Sequence, residues 1–549
     1  MERLKKIWFE IYSETSENEE CFNNLIGFLN DSKKELKVNE IEKDWYKNAV
    51  IYSLYVDLYA GDFSELKNKL SYLKGLGVNT LWLLPILDSP MGDQGFDISN
   101  YYKVRGDLGT NEDFFEFIEE AHKNDIKVLF DMAVNHTSNE HEWFLDAKKG
   151  KDSKYRDYYI WNDDQEKYKG ARLLFKGMVN SNWEYNKETN DYYFHRFYEF
   201  QPDLNYKNPK VLFEMMQRVV FWKSKGVDGL RLDAIPFIWK EEGTDCENLE
   251  KTHKIIKLIR AAVDYIQPGT LLIAEANMKP KDVVQYFGEG DECQAAYHFP
   301  LMPKFYLGLA EGNYEYITDV LSKEVTPNIP NEAQWLSFLR CHDELTLEFV
   351  TEEERKKMNH YYLKDEKYSF REGEGISGRI YNLMDGEVDR ILLINSLMLT
   401  TKGASIIYYG DEVGMENDEE FFQEMTKKTG YEDSRFFNRG KMNWEKVDKA
   451  LNDENSKESK IFNGLKDMLA IKKELKELFK TEPKYIKAED KEVFIIERKL
   501  NGKTLTIYHN LIKKEKLVKD VIGEDLLTTK KVDGELKLNS YEYVWILKK

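Results

Sequence analysis

The 549-residue sequence lacks any uninterrupted apolar run near the about 20 residues of a membrane-spanning helix, so no membrane span is expected. Cysteine is scarce. Cys21, Cys246, Cys293 and Cys341 are scattered, with no C-x-x-C pair, which argues against a disulfide framework or a zinc site. They read as reduced thiols. No G-x-G-x-x-G motif follows a strand candidate, which removes the dinucleotide-binding reading. Positive charge is in deficit: 80 Lys and Arg stand against 99 Asp and Glu, a net charge of −19. That balance argues against nucleic acid or an anionic membrane as a partner. The opening "MERLKKIWFEIYSE" has no long apolar stretch after its charges, so no signal peptide is expected and the expected location is cytoplasmic.

What is present is apolar and aromatic. Hydrophobic residues make up 42% of the chain and aromatics 14%, including 34 Tyr, 30 Phe and 11 Trp. A sizeable core follows, and aromatic rings also suit the apolar faces of sugars. Residues 1–42 read as an acidic, lysine-rich helical extension. Strand-like and helix-like patterns then alternate. The strand candidates are "AVIYSLYV" (49–56), "NTLWLLPI" (79–86), "IKVLFDMAV" (126–134), "VDGLRLDAI", "TLLIAEA", "AQWLSFLRCHD" and "ASIIYYGDE". Amphipathic helices such as 64–77, 110–125 and 208–226 lie between them. Strand–helix alternation over 300 residues predicts a parallel sheet, and the number of units predicts a closed (β/α)8 TIM barrel. Residues 43–136 and 206–478 are assigned to that barrel, with 137–205 as an inserted domain after strand three. Residues 479–549 change to short β-prone segments with a hairpin signal at Asn501-Gly502, predicting a small C-terminal β-domain.

Polar residues collect at the predicted C-terminal strand ends, where barrels build their active sites. Asp131, Asn135 and His136 follow strand three, and Arg231 and Asp233 end "GLRLD". Glu275 ends "LLIAEAN", and His342 and Asp343 end "FLRCHDEL". Each cluster alone is equally a cap, an ion pair or a satisfied core histidine. Three carboxylates, each closing an apolar strand of one barrel, are hard to explain structurally. Residues two apart share a strand face, so Arg231 and Asp233 point the same way, and the arginine is expected to keep Asp233 ionised as a nucleophile. Glu275 has no cation beside it in sequence and lies among apolar residues, so a raised pKa suited to a general acid is expected. One ionised and one protonated carboxyl are the equipment of glycoside cleavage.

The stretches "DMAVNH", "GLRLDAIP", "LLIAEAN" and "FLRCHDEL" resemble the four principal motifs of the α-amylase family, glycoside hydrolase family 13. "QPDLN" (201–205) and "SIIYYGDE" (405–412) resemble its secondary motifs, and the likeness runs from about residue 45 to 445. The resemblance implies that Asp233 is the nucleophile, Glu275 the acid/base and Asp343 a third carboxylate gripping sugar hydroxyls. It implies that Arg231, His136 and His342 complete the first sugar subsite. By the same resemblance "DQGFD" gives Asp93 for sugar hydroxyls and Phe96 for stacking, and "RGKMNW" gives Arg439 as a further contact.

The expected activity is therefore retaining cleavage of α-glucosidic bonds in short gluco-oligosaccharides or disaccharides, with no cofactor. Within the family, "DECQAAYHFPLMPKF", "LRCHDELTLEFVTEEER" and "HTSNEHEWF" are most similar to trehalose synthases, which makes maltose–trehalose isomerisation or transglucosylation the alternative. The sequence departs from those enzymes in several places. Cys341 replaces the asparagine usual before His-Asp, "EDSRFFNRGKMNW" differs from their substrate loop, and "VDLYAGDFSEL" replaces a D-x-N-x-D-G calcium loop. No metal is expected there, although a site elsewhere using Asn135 stays open. A non-catalytic sugar-binding relative would be expected to lose the nucleophile or the acid, whereas all three carboxylates are present. A phosphosugar enzyme would need a glycine-rich phosphate loop where "YYGDEVG" stands. The oligomeric state is left open.

Overall fold

The architecture follows from where apolar strands end and helices are capped. The structure, a computed structural model, describes residues 1–36, 42–175 and 177–549. Residues 37–41, within the expected N-terminal extension, lie outside the described residues. Eight strands form the barrel: β1 (Val50–Leu54), β2 (Thr80–Leu83), β3 (Lys127–Ala133), β4 (Gly229–Asp233), β5 (Leu271–Ala274), β6 (Ala295–Tyr297), β7 (Gln334–Phe338) and β8 (Ala404–Tyr408). They close in sequence order, all parallel, with β1 pairing β8. Seven of these contain or lie within the expected stretches. The eighth, β6, is three residues long, too short to carry a period of its own in the sequence.

The helices that face the barrel begin and end on local chemistry. Helix Phe63–Leu76 is capped by the Asp62 carboxylate, which accepts from the Glu65 N–H, and ends at Gly77 with φ +109°. Helix Asn111–Lys123 opens with a Thr110/Asp113 capping box. Helix Pro209–Ser224 carries proline in its first turn. Gly229 opens β4, and a Cβ there would meet the Leu271 carbonyl oxygen at 2.7 Å, so the close approach of β4 to β5 requires glycine.

Helices Glu2–Ile11 and Ser16–Glu35 lie on the outside of the barrel, where Tyr12 donates to the Tyr206 carbonyl. Between β3 and helix Pro209–Ser224, the chain forms a three-stranded sheet of Trp161–Asn162, Trp183–Asn186 and Asp191–Phe194. The C-terminal segment is a six-stranded antiparallel sheet from Lys484 to Lys548. Its hairpin turn puts Asn501 at φ +49° and Gly502 at φ +80°, the left-handed pair expected of Asn-Gly. Among the described residues, no helix is long and apolar enough to cross a membrane.

Candidate active site

The nine residues singled out from sequence line one cavity of about 1160 Å3, counted to its open mouth. Asp93 and Phe96 come from the loop after β2, and His136 from the turn after β3. Arg231 and Asp233 end β4, and Glu275 follows β5. His342 and Asp343 follow β7, and Arg439 arrives from beyond β8.

Arg231 is the hub. Its Nη1 lies 2.5 Å from Asp131 Oδ1 and 2.8 Å from Asp233 Oδ1, and its Nη2 lies 3.7 Å from Glu275 Oε1. Strand pairing explains this fan, since Arg231 is in register with Asp131 on β3 and with Ile273, two residues before Glu275, on β5. Ala234, directly after the strand, takes a left-handed φ of +56°, and its N–H donates to Glu275 Oε2 at 2.9 Å. A non-glycine residue in that region signals a constrained turn, here one that ties Glu275 to the end of β4.

Glu275 has no cation beside it in sequence, and the tertiary fold brings Arg231 to it. One electrostatic expectation is corrected. Asp233 is not held below the usual carboxylate range. Burial pushes its pKa well up, Arg231 opposes this, and Glu275 and Asp131 add to the rise. The physical reason is that one guanidinium serves three carboxylates. Asp131 itself is pushed up to about 6 by burial, although Arg231 and the Trp82 indole N–H both bond it.

Asp343 behaves in the opposite way. Burial alone would raise its pKa, but His342, Arg435 and Arg439 outweigh burial and hold it well below the usual range. Arg435 Nη1 lies 3.0 Å and Arg439 Nη2 3.2 Å from the same oxygen, Oδ1. Arg435 is in turn clamped by Asp433. His342 stacks on Phe96, with ring centroids 5.7 Å apart and an interplanar angle of 23°. Burial pushes His136 down to about 4 and His342 to about 3, so both imidazoles are neutral at pH 7 and can both give and take hydrogen bonds. Burial pushes Asp93 up to about 6, against Arg435, and Gln201 Nε2 donates to its Oδ2 at 3.0 Å.

Sequence reasoning missed Arg435, Gln201 and the anchoring role of Asp131. Gln201 stands in "QPDLN" and its Nε2 also lies 3.3 Å from His136 Nε2, so that motif held a findable signal. The Arg435–Asp343 pair spans 92 residues of sequence and leaves no local trace.

Asn135 does not face a bare cation site. Its Oδ1 accepts from Lys240 Nζ at 2.7 Å, and the same ammonium lies 2.7 Å from Asp203 Oδ2. All three residues are buried. In the loop after β1, Asp62 is committed to its helix cap, and Asp57 pairs with Arg105 at 3.1 Å. Cys341, His342 and Asp343 lie close enough to share a metal ion, but the two guanidiniums on Asp343 already supply the positive charge there.

The cavity mouth carries an ion-pair chain. Arg172 Nε lies 3.0 Å from Glu247 Oε1, and its Nη1 lies 3.3 Å from Glu348 Oε1. Arg196, fully buried, also bonds Glu247. Arg172 and Arg196 belong to the segment between β3 and β4, Glu247 follows β4 and Glu348 follows β7, so the chain joins three loops.

A parallel eight-stranded barrel whose strand ends gather carboxylates around one arginine has the architecture of a barrel enzyme. The chain belongs to the α-amylase family: the model of the α-amylase catalytic domain matches residues 18–367. It is 43% identical over 385 residues to the trehalose synthase/amylase of Mycolicibacterium smegmatis, covering 68% of this chain and 64% of that protein. It is 47% identical over 379 residues to a trehalose synthase of Thermus thermophilus, covering 68% of this chain and 39% of that protein. The chain thus matches less than two thirds of the length of either relative. A solved structure of a trehalulose synthase variant superimposes with a TM-score of 0.74 at 22% identity, over 92% of this chain and all of that one.

Proposed function

We propose that this protein is a retaining enzyme acting on α-glucosidic bonds of short glucosides, with Asp233 as nucleophile and Glu275 as acid/base. The observation that carries this reading is Arg231 touching both carboxylates at the floor of one cavity, opposite a separately charged Asp343. Arg231 occupies Oδ1 of Asp233, which leaves Oδ2 to attack the anomeric carbon. As that bond forms, the glycosidic C–O bond breaks, and Glu275 gives its proton to the leaving oxygen. An acceptor hydroxyl then attacks the glucosyl–Asp233 ester, losing its proton to Glu275 and freeing the aspartate. Asp343, fixed by two arginines, offers an ionised carboxylate to sugar hydroxyls and to developing positive charge. Asp93 and Phe96 close the far end around a terminal glucose, with the ring under its apolar face.

A second reading, isomerisation of maltose and trehalose within the cavity, is favoured by the ion-pair chain at the mouth. Arg172, Glu247 and Glu348 obstruct exit of a released glucose and entry of bulk water, so the same sugar can return to the ester through another hydroxyl. The names of the trehalose synthase relatives support this reading too.

The deciding experiment is a product profile on maltose, trehalose, sucrose, isomaltose and maltodextrins, followed by proton NMR. The α-anomer is expected first, with disaccharides turned over faster than soluble starch. Initial β-glucose, or near-full activity in Asp233→Asn, would overturn the mechanism. Free glucose without isomer would leave hydrolysis alone.

A further inference from the structure

A second cavity, of about 750 Å3 counted to its open mouth, sits behind the Asp343 loop and shares no lining residue with the first. Its walls carry three tyrosines, Tyr362, Tyr368 and Tyr381, together with Asn382, Asn417 and Asp385. Tyr368 and Tyr381 are half-buried: Tyr368 donates to Glu419 Oε1 at 2.8 Å and packs edge-on against Phe437, and Lys446 and Lys457 lie 5.1 and 5.9 Å from the Tyr381 ring centroid, whereas Tyr362 is buried and donates to the Tyr306 carbonyl.

The polar groups are fixed rather than free. Asn382 Oδ1 accepts from the Asn417 N–H at 2.8 Å, and Asn417 Oδ1 accepts from the Arg379 N–H at 2.8 Å. With both amide oxygens committed to backbone, Asn382 has its Nδ2 left over as an oriented donor. Asp385 supplies acceptors, and the two cations beside it, Lys364 and Arg390, are both already paired with it. Lys446 and Lys457 lie over the Tyr381 ring, but Lys446 pairs with Glu416 and Glu458 and Lys457 donates to the Gly386 carbonyl, so both ammoniums are engaged by the protein, while an apolar ligand would strand the amide and the carboxylate.

The wall nearest the first cavity is the Ser377–Gly378 stretch. Ser377 Oγ lies 2.9 Å from Ser434 Oγ, and the Gly378 carbonyl accepts from Arg340 Nε at 2.6 Å. The cavity is thus held by buried bonds to the loops that carry Arg435 and Asp343, rather than by mobile surface side chains.

We propose that this cavity is a second binding site for a neutral sugar, distinct from the site of bond cleavage. Half-buried aromatic faces suit the C–H face of a pyranose, and an oriented amide beside a carboxylate suits its hydroxyls. The inference uses the carbohydrate reading above only for the choice of sugars to try.

Equilibrium dialysis with labelled maltose, in an Asp233→Asn background so that the sugar is not consumed, tests it. Two maltose molecules per chain are expected. Adding Tyr381→Ala, which removes the ring, should leave one, as should Asn382→Asp, which keeps the acceptor for Asn417 and loses the donor. Asn382→Asp guards against a folding defect in Tyr381→Ala, and an unchanged Tm confirms that the second site alone was lost. Should the first cavity bind no maltose, Asp233→Asn would bind one and the double variants none. That pattern sinks the proposed catalytic function but supports the second site. A stoichiometry that neither Tyr381→Ala nor Asn382→Asp lowers would overturn it.

Discussion

Arg231 and Asp131 meet at 2.5 Å, the shortest of the three carboxylate contacts made by this arginine. Asp131 therefore anchors the guanidinium that touches the proposed nucleophile and acid/base. It also keeps part of that cation's charge away from Asp233.

Removing the Asp131 charge should act on Asp233 at a distance. Asp131 raises the Asp233 pKa, and its loss also lets Arg231 pair more fully with Asp233. Both effects point down. In Asp131→Asn the acid limb of the kcat/KM pH profile is expected to move to lower pH, alongside a loss of activity of about tenfold or more, since a misplaced supporting group can cost about 100-fold. An unmoved limb with only a lower Tm would reduce Asp131 to a structural role.

Asp93 carries a stability cost that its proposed role explains. Burial lifts its pKa to about 6, above the about 3.9 of an unfolded chain. A raised folded pKa favours folding below the unfolded pKa, and that contribution is lost as pH rises through 6. At pH 7.5 the ionised Asp93 is destabilising. Asp93→Asn should therefore raise Tm at pH 7.5, with the gain vanishing near pH 4, while disaccharide turnover falls at least about tenfold. Unchanged turnover of maltose would remove Asp93 from the sugar pocket.

Lys240 stands between Asn135 and Asp203 as a built-in cation. Replacing it with methionine leaves the buried Asp203 without its ammonium, a change worth about 3–5 kcal/mol in comparable buried pairs. Thermal melts of Lys240→Met should show a large drop in Tm. The parent protein should keep both Tm and activity in EDTA. Inactivation by EDTA that calcium reverses would place a metal elsewhere in the site.

Opening the cavity mouth should change what the enzyme makes. Arg172→Ala removes both ion pairs at once, to Glu247 and to Glu348. The ratio of free glucose to isomerised disaccharide is expected to rise several-fold as water gains access, with little change in Tm because Arg172 is half exposed. A constant ratio would mean that these residues do not control acceptor access.

Much of the barrel was legible because its signals are local. Apolar strands, capped helices and the Asn501-Gly502 turn each follow from residues adjacent in sequence. Strand β6 was missed because three residues do not display alternation, and it is defined by its neighbours β5 and β7 rather than by itself. The nine site residues fall at strand ends or in the loops that follow, and their strand or motif positions were enough to bring them to one cavity.

The sequence by itself determined that Arg231, Asp233, Glu275, His342 and Asp343 would reach the barrel mouth, since strand period and strand end set direction and place, while Asp93, Phe96 and Arg439 came from the likeness to family motifs. It could not determine how the charges there would balance. Glu275 looked isolated from any cation, and Asp233 looked ionised, because only Arg231 stood nearby along the chain. The tertiary structure sets that balance by placing Asp131, Asp233 and Glu275 around that one guanidinium in a buried cavity, while giving Asp343 two arginines from a loop 92 and 96 residues away. Local sequence fixes which face a side chain is on. Coulomb energy and desolvation depend on every charge within a few ångströms, and those charges come together only when the chain is folded.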